Sequence, residues 1–330
     1  MHYLLYILLN YVIHNNVLQS VNRNIHAYGT EKSYHFSTLA LPNSCTFDII
    51  IMVIKMQIRL TLKPRLKPNQ SSFCIPCGYN HVVSSMIYNK LGEIGVSDFW
   101  HDKGFTGSNG KAFKGFVFGQ LNGKHDIGPD PRIPGSENGD HIFFHDTITL
   151  EIRSPLFSFI DELQRSFELN PTVRLYDTTL DIINAHLDNK HINSSTAVFQ
   201  TETPILVTKP TEQADKKWKK TPVSPNEAEF FERICNNYEE KYETIFKREA
   251  HPIQIARIGY YKKKVVHYNG KSKVNNQNGK SENDKSYGIE CYQCRIIVQG
   301  SIESLEFIYN TGLGEDNSGG FGMLKLLHTQ

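Results

Sequence analysis

The sequence predicts an α+β fold made of two tandem βαββαβ units, and three observations support it. The 330 residues suggest two domains at roughly 150 residues each. Runs of alternating apolar residues, which mark strands, interleave with apolar runs at three- and four-residue spacing, which mark helices. The order strand, helix, strand, strand, helix, strand is read across residues 56–190 and again, less cleanly, across 191–330. That order is the ferredoxin-like arrangement.

Residues 1–55 stand apart in composition. They hold only five charged side chains (Arg23, Glu31, Lys32, Asp48, Lys55), although the chain has 36 Lys and Arg and 34 Asp and Glu. The apolar run Leu4 to Ile13 is broken by Asn10, has no Lys or Arg before it, and falls well short of the ~20 residues of a membrane span. This stretch is expected to be an extension outside the functional fold, and with Met52 and Met56 just ahead of the first strand an over-long start assignment fits it.

From Met56 to Lys63 the alternation is complete: Met56, Ile58, Leu60 and Leu62 share one face of a half-buried strand. Asn80 is the expected N-cap of a helix with Val83, Ile87 and Leu91 on its core stripe. Phe116 and Phe118 suggest a second strand. A polar Gly/Pro-rich connection over 122–140 leads to a third, in which Ile148, Leu150 and Ile152 alternate with polar residues. Ser154-Pro155 is expected to cap and open a helix carrying Leu156, Ile160, Leu163 and Phe167. A further strand begins near Val173. In the second half, strands are expected over Thr196 to Val207, Ile253 to Val266, Tyr287 to Val298 and Phe321 to Leu327. Ser224-Pro225 opens a helix with Phe230, Ile234, Tyr238 and Tyr242, and a short helix carries Leu305, Ile308 and Tyr309.

A 39% hydrophobic and 11% aromatic content excludes a disordered chain, and the near-balanced charge does not announce a nucleic-acid partner. Two C-x-x-C pairs, Cys74/Cys77 and Cys291/Cys294, raise a four-thiolate zinc site. The second pair reads as strand, where positions i and i+3 face opposite ways, so buried free thiols are expected and neither metal nor cofactor is assigned. His141/His145 lack the H-E-x-x-H glutamate, and the five-residue spacing of His186/His191 does not return to one helix face. Local basic patches lie at Lys216, Lys217, Lys219 and Lys220 around Trp218, and from Lys262 to Ser286.

The segment Gly312 to Gly322 has five glycines in eleven residues, which serve close backbone approach rather than side-chain packing. It matches neither the dinucleotide fingerprint nor the P-loop, since Asn317 and Gly320 stand where those patterns require Gly and Lys. Upstream, Tyr88 sits about 100° around its helix from the core stripe. His101 follows in a polar segment with Asp102 and Lys103, and Lys114 begins the next strand. Histidine, tyrosine and lysine together can cleave RNA by 2′-OH attack without a metal.

Three motifs carry a resemblance: YN-x4-S-x-IY (Tyr79 to Tyr88), DFWHDKGF, and the G-x-G-x3-S-x-GFG loop. From Met56 onward the chain resembles the CRISPR-associated endoribonucleases that cut repeat RNA precursors, in the repeat-associated RNA-binding superfamily. The resemblance implies two ferredoxin-like domains and cleavage within each repeat that leaves 2′,3′-cyclic phosphate and 5′-hydroxyl ends. It implies His101 as general acid/base, Tyr88 orienting or deprotonating the 2′-OH, and Lys114 stabilising the pentacovalent phosphate, with Lys103 as the rival lysine and His81 as the rival histidine. It implies that Gly312, Gly314, Ser318, Gly320, Phe321 and Gly322 bind RNA backbone and brace the domain interface. Gly119 departs from the serine that the family often places there. The expected partner is CRISPR repeat precursor RNA, with other CRISPR effector subunits as further partners, in the cytoplasm and away from membranes. Two alternatives stay open: a guide-RNA-binding subunit without activity, and a general RNA-binding protein of the RRM type, for which GKAFKGFVFGQL has a passing likeness but the glycine loop no explanation.

Overall fold

The computed structural model describes residues 56–107, 110–130, 140–188, 190–212, 218–268 and 287–330. The expectation for residues 1–55 lies outside them, as do Lys216, Lys217 and the tract 269–286.

Strand β1 (Gln57–Pro64) buries Ile58, Leu60 and Leu62 completely, as its alternation requires. Strand β2 (Phe73–Pro76) leads into helix α1 (Asn80–Glu93), whose Val83, Ile87 and Leu91 are fully buried. A π-helical turn, Phe99–Lys103, precedes the short strands β3 (Phe105–Thr106), β4 (Ala112–Phe113) and β5 (Val117–Phe118). Then come β6 (His125–Gly128), β7 (His141–Phe144), β8 (Ile148–Arg153), α2 (Phe157–Leu169), β9 (Thr172–Leu175) and β10 (Thr178–Asp188). The principal sheet runs β5-β8-β1-β10-β9, which is the 2-3-1-4 order of a ferredoxin-like unit with one added hairpin strand.

The second half repeats the plan with β11 (Thr196–Thr201), a hairpin of β12 (Thr208–Glu212) and β13 (Trp218–Pro222), α3 (Ala228–Phe246), β14 (Gln254–Tyr268), β15 (Tyr287–Gln299), α4 (Ile302–Thr311) and β16 (Leu324–Thr329). Its sheet order, β14-β15-β11-β16, is again 2-3-1-4. Phe230, Ile234, Tyr238 and Tyr242 of α3 are each at most 1% exposed. Burial of this kind stabilises by about 1.5–3 kcal/mol per large apolar side chain.

Several local expectations need correction. Helix α2 starts after Leu156, because Ser154 Oγ donates to Gly115 O (2.7 Å) and accepts from Leu156 N instead of capping a turn begun at Pro155. Tyr79, not Asn80, holds the N-cap position of α1, and the Asn80 amide is used elsewhere. The 122–140 connection contains β6, which pairs with β7. Phe321 is buried in the glycine loop, and the last strand begins three residues later. Cys291 and Cys294 lie on β15, buried in different apolar clusters, which fits the opposite faces expected of i and i+3. His186 lies on β10, and His145 pairs with Asp126 (2.7 Å) rather than His141. No helix among the described residues is long and apolar enough to cross a membrane.

Candidate active site

The glycine loop between α4 and β16 is where the two halves meet. A Cβ on Gly320 (φ +85°) would fall 2.7 Å from the Phe118 ring, and one on Gly322 (φ +74°) would overlap the Leu313 carbonyl. These glycines let the protein's own chain approach itself. Gly312, Gly314, Gly320, Phe321 and Gly322 are all buried, whereas Ser318 and Gly319 are partly open. Helix α1 grips that open edge: Asn80 Nδ2 donates to Gly319 O (2.9 Å) and Ser84 Oγ donates to Ser318 O. Helix α3 holds the other side, with Lys241 Nζ donating to Gly312 O (3.1 Å) and Asn317 Oδ1 (2.5 Å). Arg153 adds a buried strut, donating to Leu324 O (2.6 Å) with its guanidinium 3.9 Å from the Tyr309 ring centre.

At the loop's edge lies an open groove of about 380 Å³, lined by His81, Ser84, Tyr88, His101, Asp316 and Ser318 among others. Tyr88 and His101 meet edge to face, with ring centres 4.7 Å apart, and Phe116 backs Tyr88 at 5.7 Å. The π-helical turn carries His101 to this spot because buried Trp100, bonded to Glu162 (2.6 Å), anchors the turn in the core. His101 Nδ1 is 2.6 Å from Asp102 Oδ1, leaving Nε2 as the ring's other polar atom. Lys114 Nζ donates to the His101 carbonyl, and burial lowers its pKa against the opposing pull of Asp102. Burial also pushes the Tyr88 phenol up to about 12, outweighing its hydrogen bond with Ser318.

A larger cleft of about 890 Å³ shares Asp316 and Ser318 with the groove and is lined by Lys111, Lys114, Lys219, Lys220 and Lys241. The structure thus brings Tyr88, His101, Lys114 and Ser318 together, with His81 in the same groove and exposed Lys103 on the His101 turn. Sequence reasoning missed Asp102 as the His101 partner, Asp316, and the loop-holding Asn80, Lys241 and Arg153. Asp102, adjacent to the histidine, and Asn80, in the YN motif, carried a sequence signal, though not for these contacts.

Residues 187–326 match the family model described as CRISPR associated protein Cas6, C-terminal. The match spans less than half of the chain and is a likeness of that part to the Cas6 C-terminal family. A solved structure named CRISPR associated protein Cas6 superposes with a TM-score of 0.62 at 21% identity, covering 83% of this chain and 100% of its own. A Cas6-related gene product from Pyrococcus furiosus gives 0.63 at 21%, covering 84% and 100%. A RAMP protein described as binding different RNA substrates gives 0.63 at 21%, covering 83% and 100%. A search of the curated proteins found no match. The tandem ferredoxin-like architecture expected from the sequence is the fold these Cas6 structures share.

Proposed function

We propose that this protein is a metal-independent endoribonuclease that cleaves CRISPR precursor RNA within its repeats. The observation that carries the reading is the convergence of His101, Tyr88 and Lys114 beside a lysine-lined cleft. The substrate ribose 2′-OH attacks the adjacent phosphorus, a pentacovalent phosphorane forms, and the bond to the 5′ oxygen breaks, leaving a 2′,3′-cyclic phosphate and a 5′-hydroxyl. His101 Nε2 moves the proton, while Asp102 on Nδ1 fixes the orientation of the ring. Tyr88 keeps its proton, so it orients the 2′-OH or the phosphate by donating rather than acting as the base. Lys114 supplies positive charge as the phosphorane forms. Ser318 and Gly319 are the loop members placed to meet RNA backbone, and the remaining loop glycines brace the domains.

The test is cleavage of a repeat RNA from the same genome in buffer without divalent metal. His101→Ala is expected to slow cutting by about 10²–10⁴-fold, and a 2′-deoxy residue at the scissile position is expected to abolish it. Tight binding without cutting by the unaltered protein would instead favour a guide-RNA-holding subunit. Cutting that survives His101→Ala would move the proton-transfer role to His81, which lines the same groove.

A further inference from the structure

The small sheet β6-β7-β2 has one face turned into the core, where Phe73, Ile75 and Phe144 are buried and Phe73 stacks on Phe144 (5.3 Å). Alternation assigns Cys74 and Pro76 to the opposite face. In the register Cys74 pairs with Phe143 and Pro76 with His141, so Cys74 and His141 are diagonal neighbours on that face. Gly128 pairs with His141 from the other side, and Asp130 follows two residues on. Strands β2 and β7 and the segment just after β6 therefore deliver a thiol, an imidazole and a carboxylate to one point. Their ligand atoms all lie within 4.8 Å of one another, with Cys74 Sγ 3.8 Å from Asp130 Oδ2. All three residues are buried, at 5%, 7% and 2% exposure for Cys74, His141 and Asp130.

We propose that Cys74, Asp130 and His141 form a structural site for one zinc-class divalent cation. Around a tetrahedral Zn²⁺, ligand atoms at about 2.0–2.3 Å from the metal stand roughly 3.3–3.7 Å from each other, so a contraction of about 1.5 Å at most completes the geometry. Charge supports the assignment: on binding, Cys74 gives its proton to solvent, and thiolate plus carboxylate neutralise the dication beside a neutral imidazole. A thiolate ligand also selects zinc over magnesium or calcium, which take oxygen ligands. The fourth position is open to water. None of the three residues lines the groove of Tyr88 and His101, so the metal takes no part in RNA cleavage. It ties β2 to β6 and β7 immediately before the chain turns through Cys77 and Tyr79 into α1, the helix that carries Tyr88. Cys77 N donates to Asp140 O (2.7 Å), next to His141, and strengthens that junction.

The test uses the full chain without an affinity tag. Wild-type protein dialysed against zinc and then against metal-free buffer is expected to retain about one zinc per chain by mass spectrometry of the metal. Replacing zinc with Co²⁺ should give a thiolate-to-cobalt charge-transfer band. Cys74→Ser should lose that band, and Asp130→Asn and His141→Ala should each weaken zinc binding at least about tenfold. Cys235→Ser, whose thiol lies against Ile253 O, should keep band and stoichiometry. Wild-type protein that retains no zinc and shows no cobalt band would overturn the proposal, as would full zinc retention by folded Cys74→Ser. The wild-type measurement needs no variant, so a variant that fails to fold cannot hide the outcome.

Discussion

Tyr88 shows how a residue one step off a helix's apolar stripe acquires a task. Its ring is held between Phe116 and His101, and the same burial that packs it raises the phenol to about 12. At neutral pH it is therefore a donor and a poor base. Tyr88→Phe keeps both ring contacts and removes only the donor, so cleavage should fall by roughly tenfold to a hundredfold with RNA affinity little changed. Because the hydroxyl holds its proton well above its ordinary value of 10.0, the fall should be the same at every pH from about 6 to 9. Single-turnover rates across that range check it. A deficit that deepens or vanishes with pH would mean that Tyr88 ionises during the reaction.

Helix α3 shows an element serving the loop from a face that its apolar pattern did not reveal. Its stripe Phe230, Ile234, Tyr238 and Tyr242 was legible because four-residue apolar steps have one common cause, burial. Lys241 was not, because a lysine beside a tyrosine reads as a solvated residue until the tertiary fold closes over it. Likewise, Asn80 looked like a cap until the loop, some 240 residues away, claimed its amide. Local periodicity specified both sheets, whereas contacts made across the domain junction left no spacing signal. Burial, with help from nearby Lys111, lowers the Lys241 pKa from 10.5 to about 7. Between those values the unfolded chain binds the extra proton, so stability rises with pH through that window. Lys241→Met strands the acceptors on Gly312 and Asn317 and should cost about 1–3 kcal/mol near pH 9. Since only the wild type loses stability on acidification through this group, the gap should narrow towards pH 7, by up to ~1.4 kcal/mol per pH unit. Urea unfolding of both proteins at several pH values measures it, and a gap that widens with acidity would refute the assignment.

At the scale of the whole molecule, two sheets of the same strand order are locked by the glycine loop and by Arg153, and the junction leaves a lysine-lined cleft running up to the groove. The near-neutral chain concentrates positive charge there locally. Lys219 and Lys220 are exposed on β13, and Lys220 is 3.5 Å from Glu315 with 78% of its side chain exposed. Such an ion pair is worth little, and Glu315 already accepts hydrogen bonds from Thr208 N and Oγ1 at 2.9 Å. Both ammonium groups are therefore available to phosphates. Each phosphate neutralised on a single strand contributes about 0.7 to the slope of log affinity against log salt. Replacing Lys219 and Lys220 by Ala should weaken repeat-RNA binding at low salt and flatten that slope by about 1–1.5. The cleavage rate of saturated complex should change little, because neither lysine lines the groove that holds Tyr88 and His101. Filter binding over a salt series, paired with saturating single-turnover cleavage, separates the two effects. An unchanged slope would place the RNA path outside this cleft, while a flattened slope with intact chemistry would assign the cleft to holding the strand and the groove to cutting it.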